Sequence, residues 1–360
     1  MSDVSIASDA ELGWNPYFQQ QLSFDEIETL IPARVFAVER SHMTLRNAAG
    51  EFAITLAGKW FNRQTEERPT VGDWVLVDAQ RDTVVRVLER KTTFRRLAAG
   101  DKVDVQLICT NVDTLFVVSS CNDEFNESRL ERFLAIAMDA GVEPVVVLTK
   151  ADLTADGDEF VDRTRSLRRD LIVELVNALD PESLRGIAPW CAPGQTVALV
   201  GSSGVGKSTL VNTLSGAGQI TAAIREDDAH GRHTTTSRSM HTLVGGGLLI
   251  DVPGLREIKM PDAEAGVSAM FEDIETLARR CRFADCAHAA EPGCAIRAAV
   301  EAGALDPRRL ANYDKLNREQ RYATESIAER HKRVRDWAKM VKHAHSFSHK
   351  ESHKASHKKR

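Results

Sequence analysis

The sequence predicts an α/β protein, with a parallel sheet in the middle of the chain, a small β-barrel before it and a mainly helical region after it. Three observations carry this. The octapeptide from Gly201 to Ser208, GSSGVGKS, stands between the apolar run Val197 to Val200 and a segment, Thr209 to Leu214, that can open a helix. That is the strand-loop-helix setting of a phosphate-binding loop. Continuous apolar runs at Thr114 to Ser119 and Pro144 to Leu148 flank a helical stretch from Glu127 to Ala140, and strand, helix, strand means parallel pairing. Short β-rich runs broken by Asn and Gly fill residues 33–96, as in a small barrel.

The 360 residues are 42% hydrophobic and 28% charged, the composition of a globular chain of two or three domains. No apolar run approaches the roughly 18 residues of a membrane span, and the first residues are acidic and mixed where a signal peptide would be basic and then apolar. A cytoplasmic location without a membrane partner is expected. The net charge of −5 divides into +10 over residues 308–360 and −15 over the rest, which implies a basic C-terminal arm facing an anionic partner.

In chain order, residues 1–32 read as a partly ordered leader punctuated by Pro16 and Pro32. Residues 33–100 read as a barrel of about five strands, OB-like or SH3-like. Arg40, Lys59, Trp60, Phe61 and Arg63 interleave bases with aromatics as a nucleic-acid surface would, or as loop residues around one core aromatic. Residues 101–263 form the parallel-sheet domain, with further strands at Ile172 to Val176 and Leu248 to Asp251. Residues 264–340 read as helical, and 341–360, which repeat Ser-His-Lys, as a basic disordered tail.

The phosphate loop supplies Gly201, Ser202, Ser203, Gly204, Val205, Gly206, Lys207, Ser208 and Thr209. Its backbone N–H groups can cradle phosphate, Lys207 can reach the β and γ phosphates, and Ser208 can ligate Mg²⁺. The base is chosen elsewhere. Thr149-Lys150-Ala151-Asp152 resembles the guanine-reading Asn-Lys-x-Asp of GTPases: the Asp152 carboxylate can accept from both N1–H and N2–H₂ of guanine, a pair adenine cannot offer. Asp251-Val-Pro-Gly254 matches Asp-x-x-Gly, with Asp251 toward Mg²⁺ and the Gly254 N–H toward the γ-phosphate. Among Thr234, Thr235 and Thr236, Thr235 is the candidate to complete the Mg²⁺ shell. Asn177 and Ala178 are candidates for the remaining base-side loop. Leu255 stands where many GTPases have glutamine, so His233 is the candidate to orient the attacking water.

The guanine motif precedes the phosphate loop, the reverse of the ordinary order, so the GTPase domain reads as circularly permuted. Farther on, Cys281, Cys286, His288 and Cys294 form C-x₄-C-x-H-x₅-C, which suits one structural Zn²⁺ with no open position. Cys109, Cys121 and Cys191 lie in or beside apolar runs and read as core thiols. The fold class is therefore α/β: a circularly permuted P-loop GTPase domain with an N-terminal OB-like β-barrel and a C-terminal mainly helical zinc-binding domain. A nucleotide-dependent RNA-binding scaffold without turnover is the competing reading.

With the barrel, TKAD ahead of GSSGVGKS, then GRHTTT, DVPG and the Cys/His cluster, residues 33–335 resemble the RsgA (YjeQ) family of bacterial circularly permuted GTPases. The resemblance implies slow GTP hydrolysis stimulated by the small (30S) ribosomal subunit, contact with its 16S rRNA, and a late-maturation checkpoint that helps release an assembly factor. It also implies catalytic work for His233 beside Lys207 and Thr235, and a structural zinc site. The protein is expected to be a monomer.

Overall fold

In a computed structural model of the protein, residues 8–39, 42–55, 58–61, 63–97, 105–216, 238–251 and 263–324 are described. The leader forms two short helices, α1 (Pro16–Gln19) and α2 (Phe24–Thr29). Five antiparallel strands follow: β1 (Leu30–Val38), β2 (His42–Asn47), β3 (Gly50–Thr55), β4 (Trp74–Asp78) and β5 (Val84–Val87), with the one-turn helix α3 (Gly58–Phe61) after β3. They pair in the order β3-β2-β1-β4-β5, the OB-like arrangement in which the first strand is central. Alternate residues of β2, Met43 and Leu45, enter the barrel core with Val35, Val75, Val77 and Trp60. Trp60 is 1% exposed and Arg63 covers its ring at 4.8 Å. Of the two readings that the sequence leaves open for this stretch, Trp60 takes the second: it is a core aromatic, unable to meet a base.

A hairpin of β6 (Thr93–Leu97) and β7 (Val105–Thr110) leads into the central domain. There β8 (Thr114–Ser120), α4 (Glu127–Asp139), β9 (Glu143–Thr149), α5 (Gly157–Leu167), β10 (Ile172–Leu175), β11 (Thr196–Gly201), α6 (Lys207–Ser215), β12 (Arg238–Thr242) and β13 (Leu248–Asp251) follow in order. Strands β10-β9-β8-β11-β13 are parallel neighbours and β12 adds antiparallel to β13. Both faces of this sheet are covered, which is why its strands read as unbroken apolar runs. Phe116, Val118, Val145, Val147, Val197 and Leu249 face α6 (Leu210, Val211). Leu115, Val117, Val146, Leu148, Ala198 and Ile250 face α4 (Leu130, Leu134) and the helices beyond it.

The barrel is joined to this sheet by main-chain hydrogen bonds, since β1 pairs with β12 at Ala37–Ser239 and Val38–Arg238. Arg34, fully buried, donates to the carbonyls of Leu12 in the leader, Gly72 in the barrel (3.4 Å) and Asn111 in the central domain (2.9 Å). Trp14 meets Trp74 edge-on at 4.8 Å, and Leu12 and Phe18 are buried. From Ser8 onward the leader thus packs into the seam.

The C-terminal region contains α7 (Glu264–Met270), α8 (Glu272–Ala278), α9 (Ala295–Glu301) and α10 (Pro307–Thr324). Helix α7 crosses α4 so closely that a Cβ on Gly266 would stand 2.0 Å from the Ala135 carbonyl oxygen. Glu131 of α4, wholly buried, accepts from Arg308, Arg309 and Asn312 of α10. Arg132 pairs with Glu319 at 2.7 Å.

Candidate functional site

The phosphate loop leaves the end of β11 as the sequence predicts. Gly201, Gly204 and Gly206 have φ of +154°, +78° and +92°, conformations that L side chains rarely adopt. At Gly201 there is also no room, because a Cβ would fall on the carbonyl oxygen of Val118 in β8. The glycines thus let the loop curl back over its own sheet and open its N–H groups. Ser203 and Gly204 lie exposed on the rim, while Val205 and Lys207 are buried. The Lys207 ammonium donates to the carbonyl of Ser202. Ser208 and Thr209 occupy the first turn of α6, which has no acidic residue and offers its positive end to an anion.

The guanine-type motif sits at the end of β9, two strands from the loop strand, across β8. Thr149 is fully buried, and its Oγ1 donates to the Val205 carbonyl at 2.6 Å, with the Ser119 carbonyl 3.1 Å away. The motif and the phosphate loop are therefore directly hydrogen-bonded. Lys150 takes a left-handed φ of +61°, an uncommon conformation for a lysine, and starts the single turn Ala151–Leu153 that presents Asp152 on the exposed surface. Asn177 and Ala178 follow β10. The Asn177 Oδ1 accepts from the Leu179 N–H at 3.0 Å, and the Ala178 carbonyl accepts from Thr213 of α6 at 2.6 Å. Three loops thus gather at the carboxyl ends of β9, β10 and β11, the edge where open α/β sheets bind ligands.

Asp251 ends β13 opposite Ser239 of β12. Ser239 Oγ lies 2.9 Å from Nε2 of His241, whose ionisation burial disfavours and the Asp251 charge favours, with a pKa below the ordinary value as the net result. His233, Thr234, Thr235, Thr236, Gly254, Leu255 and Arg40 lie outside the described residues, as does the tail.

Cys281, Cys286, His288 and Cys294 converge, with all four ligand atoms within 4.8 Å of one another, and this cluster can hold a metal ion. Cys281 Sγ is 3.7 Å from Nδ1 of His288 and 3.9 Å from Cys294 Sγ. Cys294 caps α9, its sulfur accepting from the Arg297 N–H at 3.4 Å. Burial opposes ionisation of Cys281, but hydrogen bonds from the amides of Ala295 and Ile296 at the start of α9, together with those of Cys294 and Cys286, outweigh it and hold that thiol below its ordinary value. Burial lifts Cys286 to about 11. Cys109, Cys121 and Cys191 are buried and outside any disulfide, and burial pushes the Cys121 thiol to about 11 and that of Cys191 to about 12. Among the described residues no helix is long and apolar enough to cross a membrane.

One contact at the loop has no sequence signal: Arg129 of α4 donates to Ser202 Oγ. Only the spatial neighbourhood of β8 and β11 brings residues 129 and 202 together.

Residues 87–261 match the family model described as RsgA GTPase, and residues 184–355 match a model described as ABC transporter, a stretch that includes the phosphate loop. The small ribosomal subunit biogenesis GTPase RsgA 2 of Vibrio vulnificus is 50% identical over 337 residues, 93% of this chain and 95% of that protein. The small ribosomal subunit biogenesis GTPase RsgA of Mesorhizobium japonicum is 46% identical over 325 residues, 89% and 92% of the two. The crystal structure of YjeQ from Thermotoga maritima is similar in fold (TM-score 0.58, 22% identity, covering 81% of this chain and 98% of that one). So is the crystal structure of YloQ, a circularly permuted GTPase (TM-score 0.57, 23% identity, 82% and 96%).

Proposed function

The chain belongs to the RsgA GTPase family and is a circularly permuted GTP hydrolase, and from that premise we propose that its partner is the small (30S) ribosomal subunit. Hydrolysis there, against 16S rRNA and late in subunit maturation, helps release an assembly factor and changes the protein's own affinity for the subunit. The protein works in the cytoplasm, as a monomer. The ribosomal partner is supported by the likeness to the small ribosomal subunit biogenesis GTPases of Vibrio vulnificus and Mesorhizobium japonicum, and the nucleotide reading by the bond from Thr149 to the Val205 carbonyl, which ties the candidate guanine reader to the phosphate loop.

Asp152 reads the guanine edge, with the Lys150 stem over the base and Asn177 and Ala178 beside it. Gly201, Ser202, Ser203, Gly204, Val205, Gly206 and Thr209 form the cradle, and the Lys207 ammonium neutralises developing phosphate charge. The Gly254 N–H meets the γ-phosphate. His233 orients the attacking water, a duty left open by Leu255. Ser208, Thr235 and Asp251 would hold Mg²⁺, which when bound neutralises charge shared by the β and γ phosphates.

Cys281, Cys286, His288 and Cys294 would hold Zn²⁺, which supplies a cross-link to a region with little core of its own. Zn–S bonds of about 2.3 Å and Zn–N bonds of about 2.0–2.1 Å give tetrahedron edges of about 3.5–3.8 Å. The separations among Cys281, His288 and Cys294, 3.6, 3.7 and 3.9 Å, support that size for three of the four ligands.

Multiple-turnover phosphate release with and without purified small subunits tests the proposal. Subunits should accelerate turnover of the wild type, and His233→Ala should lose that acceleration while retaining nucleotide affinity. Equal rates with and without subunits would dismiss the ribosomal partner, and an accelerated His233→Ala would dismiss the catalytic histidine.

A further inference from the structure

Two cations meet on a single residue of the phosphate loop. Lys207 donates to the main-chain oxygen of Ser202, and Arg129, from the first turn of α4, donates to its side-chain hydroxyl. Lys207 belongs to the loop's own motif. Arg129 lies 73 residues earlier, on a different strand-helix unit, and no motif asks for it.

Its placement is fixed by the helix start. Asn126 caps α4, its Oδ1 accepting from the Arg129 N–H at 2.9 Å, so residue 129 is the third position of the helix. A cation there opposes the helix dipole, which favours carboxylates in the first turn. Glu124 stands 3.8 Å away and is 53% exposed, so it cancels little of the guanidinium charge. A charge kept against local preference, and aimed at a ligand loop, is where function is expected to override local rules. On its far side α4 is clamped to α10 through Glu131, so the helix carrying Arg129 has a firm footing.

We propose that Arg129 is a positioning residue of the phosphate site: its guanidinium holds Ser202, and with it the entry of the loop, in the cradle conformation. The need arises because Lys207 has two tasks. When its ammonium turns to phosphate it divides its donors between phosphate and the Ser202 carbonyl, and the Arg129 bond to the hydroxyl gives the second loop residue a hold independent of Lys207. Arg129 also adds a positive charge beside a loop whose one charged side chain is Lys207. The inference rests on GTP hydrolysis by this chain and needs no ribosomal partner.

The test is a double-mutant cycle on the full-length protein without subunits, measuring fluorescent-GDP affinity and basal kcat and KM for GTP. Arg129→Ala and Ser202→Ala should each weaken nucleotide binding and raise KM about 5- to 10-fold, the size of one ordinary hydrogen bond, with kcat changed less than about twofold. The double variant should be no worse than either single one, and Arg129→Lys should recover part of the affinity. A merely structural Arg129 would lower the melting temperature and leave KM where it was, which would overturn the proposal. Additive losses, or a fall in kcat with KM unchanged, would overturn it equally. Ser202→Ala and Arg129→Lys supply the answer if Arg129→Ala does not fold. If the wild type itself neither bound nor hydrolysed GTP, the GTPase assignment would fail; wild-type activity with unaltered variants sinks the role of Arg129 alone.

Discussion

Thr149 shows how one hydroxyl can stand in for the amide expected at the head of a guanine motif. Its buried Oγ1, 2.6 Å from the Val205 carbonyl, ties the turn that carries Asp152 to the phosphate loop with one donor. Thr149→Val keeps the shape and removes the donor, leaving a buried carbonyl without that partner. We expect a loss of about 1–3 kcal/mol in stability by urea titration, with weaker GDP binding. Asp152→Asn tests the proposed base contact: an amide offers one acceptor atom and one donor where a carboxylate offers two acceptors, so the preference for GTP over ATP should fall at least tenfold in competition binding. Unchanged discrimination would remove the guanine assignment. The glycine-bent loop after β11, the turn that carries Asp152 and the convergence of Cys281, Cys286, His288 and Cys294 are legible in the sequence because each depends on local spacing. The contact of Arg129 with Ser202 is not, since it depends on which strands become neighbours.

Among the elements, the strands of the parallel sheet are legible within a residue or two, because burial on both faces leaves continuous apolar runs. Strands β2, β6, β7 and β12 have no counterpart among the apolar runs of the sequence. In β2, Met43 and Leu45 alternate with polar residues, and β12 (RSMHT) is mostly polar and sits where the barrel meets the sheet. The helical C-terminal region is legible as helical, but its anchorage is not: no sequence pattern marks Glu131, which is wholly buried against Arg308, Arg309 and Asn312.

Within that region Tyr313 of α10 donates to Glu275 of α8 at 2.6 Å, and burial together with the Glu275 charge pushes the phenol up to about 12. The unfolded phenol loses its proton near 10. The folded state therefore holds the proton more tightly: the contribution is intact below about pH 10 and is lost as pH rises toward 12. Melting temperatures measured at pH 9 and pH 11.5 should fall more for the wild type than for Tyr313→Phe, and parallel falls would show that this pair contributes nothing to the alkaline slope.

For the whole molecule, Arg34 links leader, barrel and central domain through three carbonyls. Arg34→Met retains much of the volume and removes every donor. A loss of at least about 3 kcal/mol is expected, from several buried acceptors left without these bonds. Because the bonds cross between regions, the denaturation curve should also split, with barrel and sheet signals no longer coincident; a single unshifted transition would show that the seam holds without them.

The strand order has a further consequence, for how the molecule can be assembled as it is synthesised. Strands β8, β9 and β10 emerge first and extend the sheet outward on one side; β11 and then the β12–β13 hairpin extend it on the other. No strand has to wedge itself between two that are already paired. The last edge to form, β12, finds β1 waiting, a partner made some two hundred residues earlier. Vectorial synthesis would therefore finish the nucleotide domain and weld it to the barrel in one closing event, at the strand that directly follows the candidate switch segment.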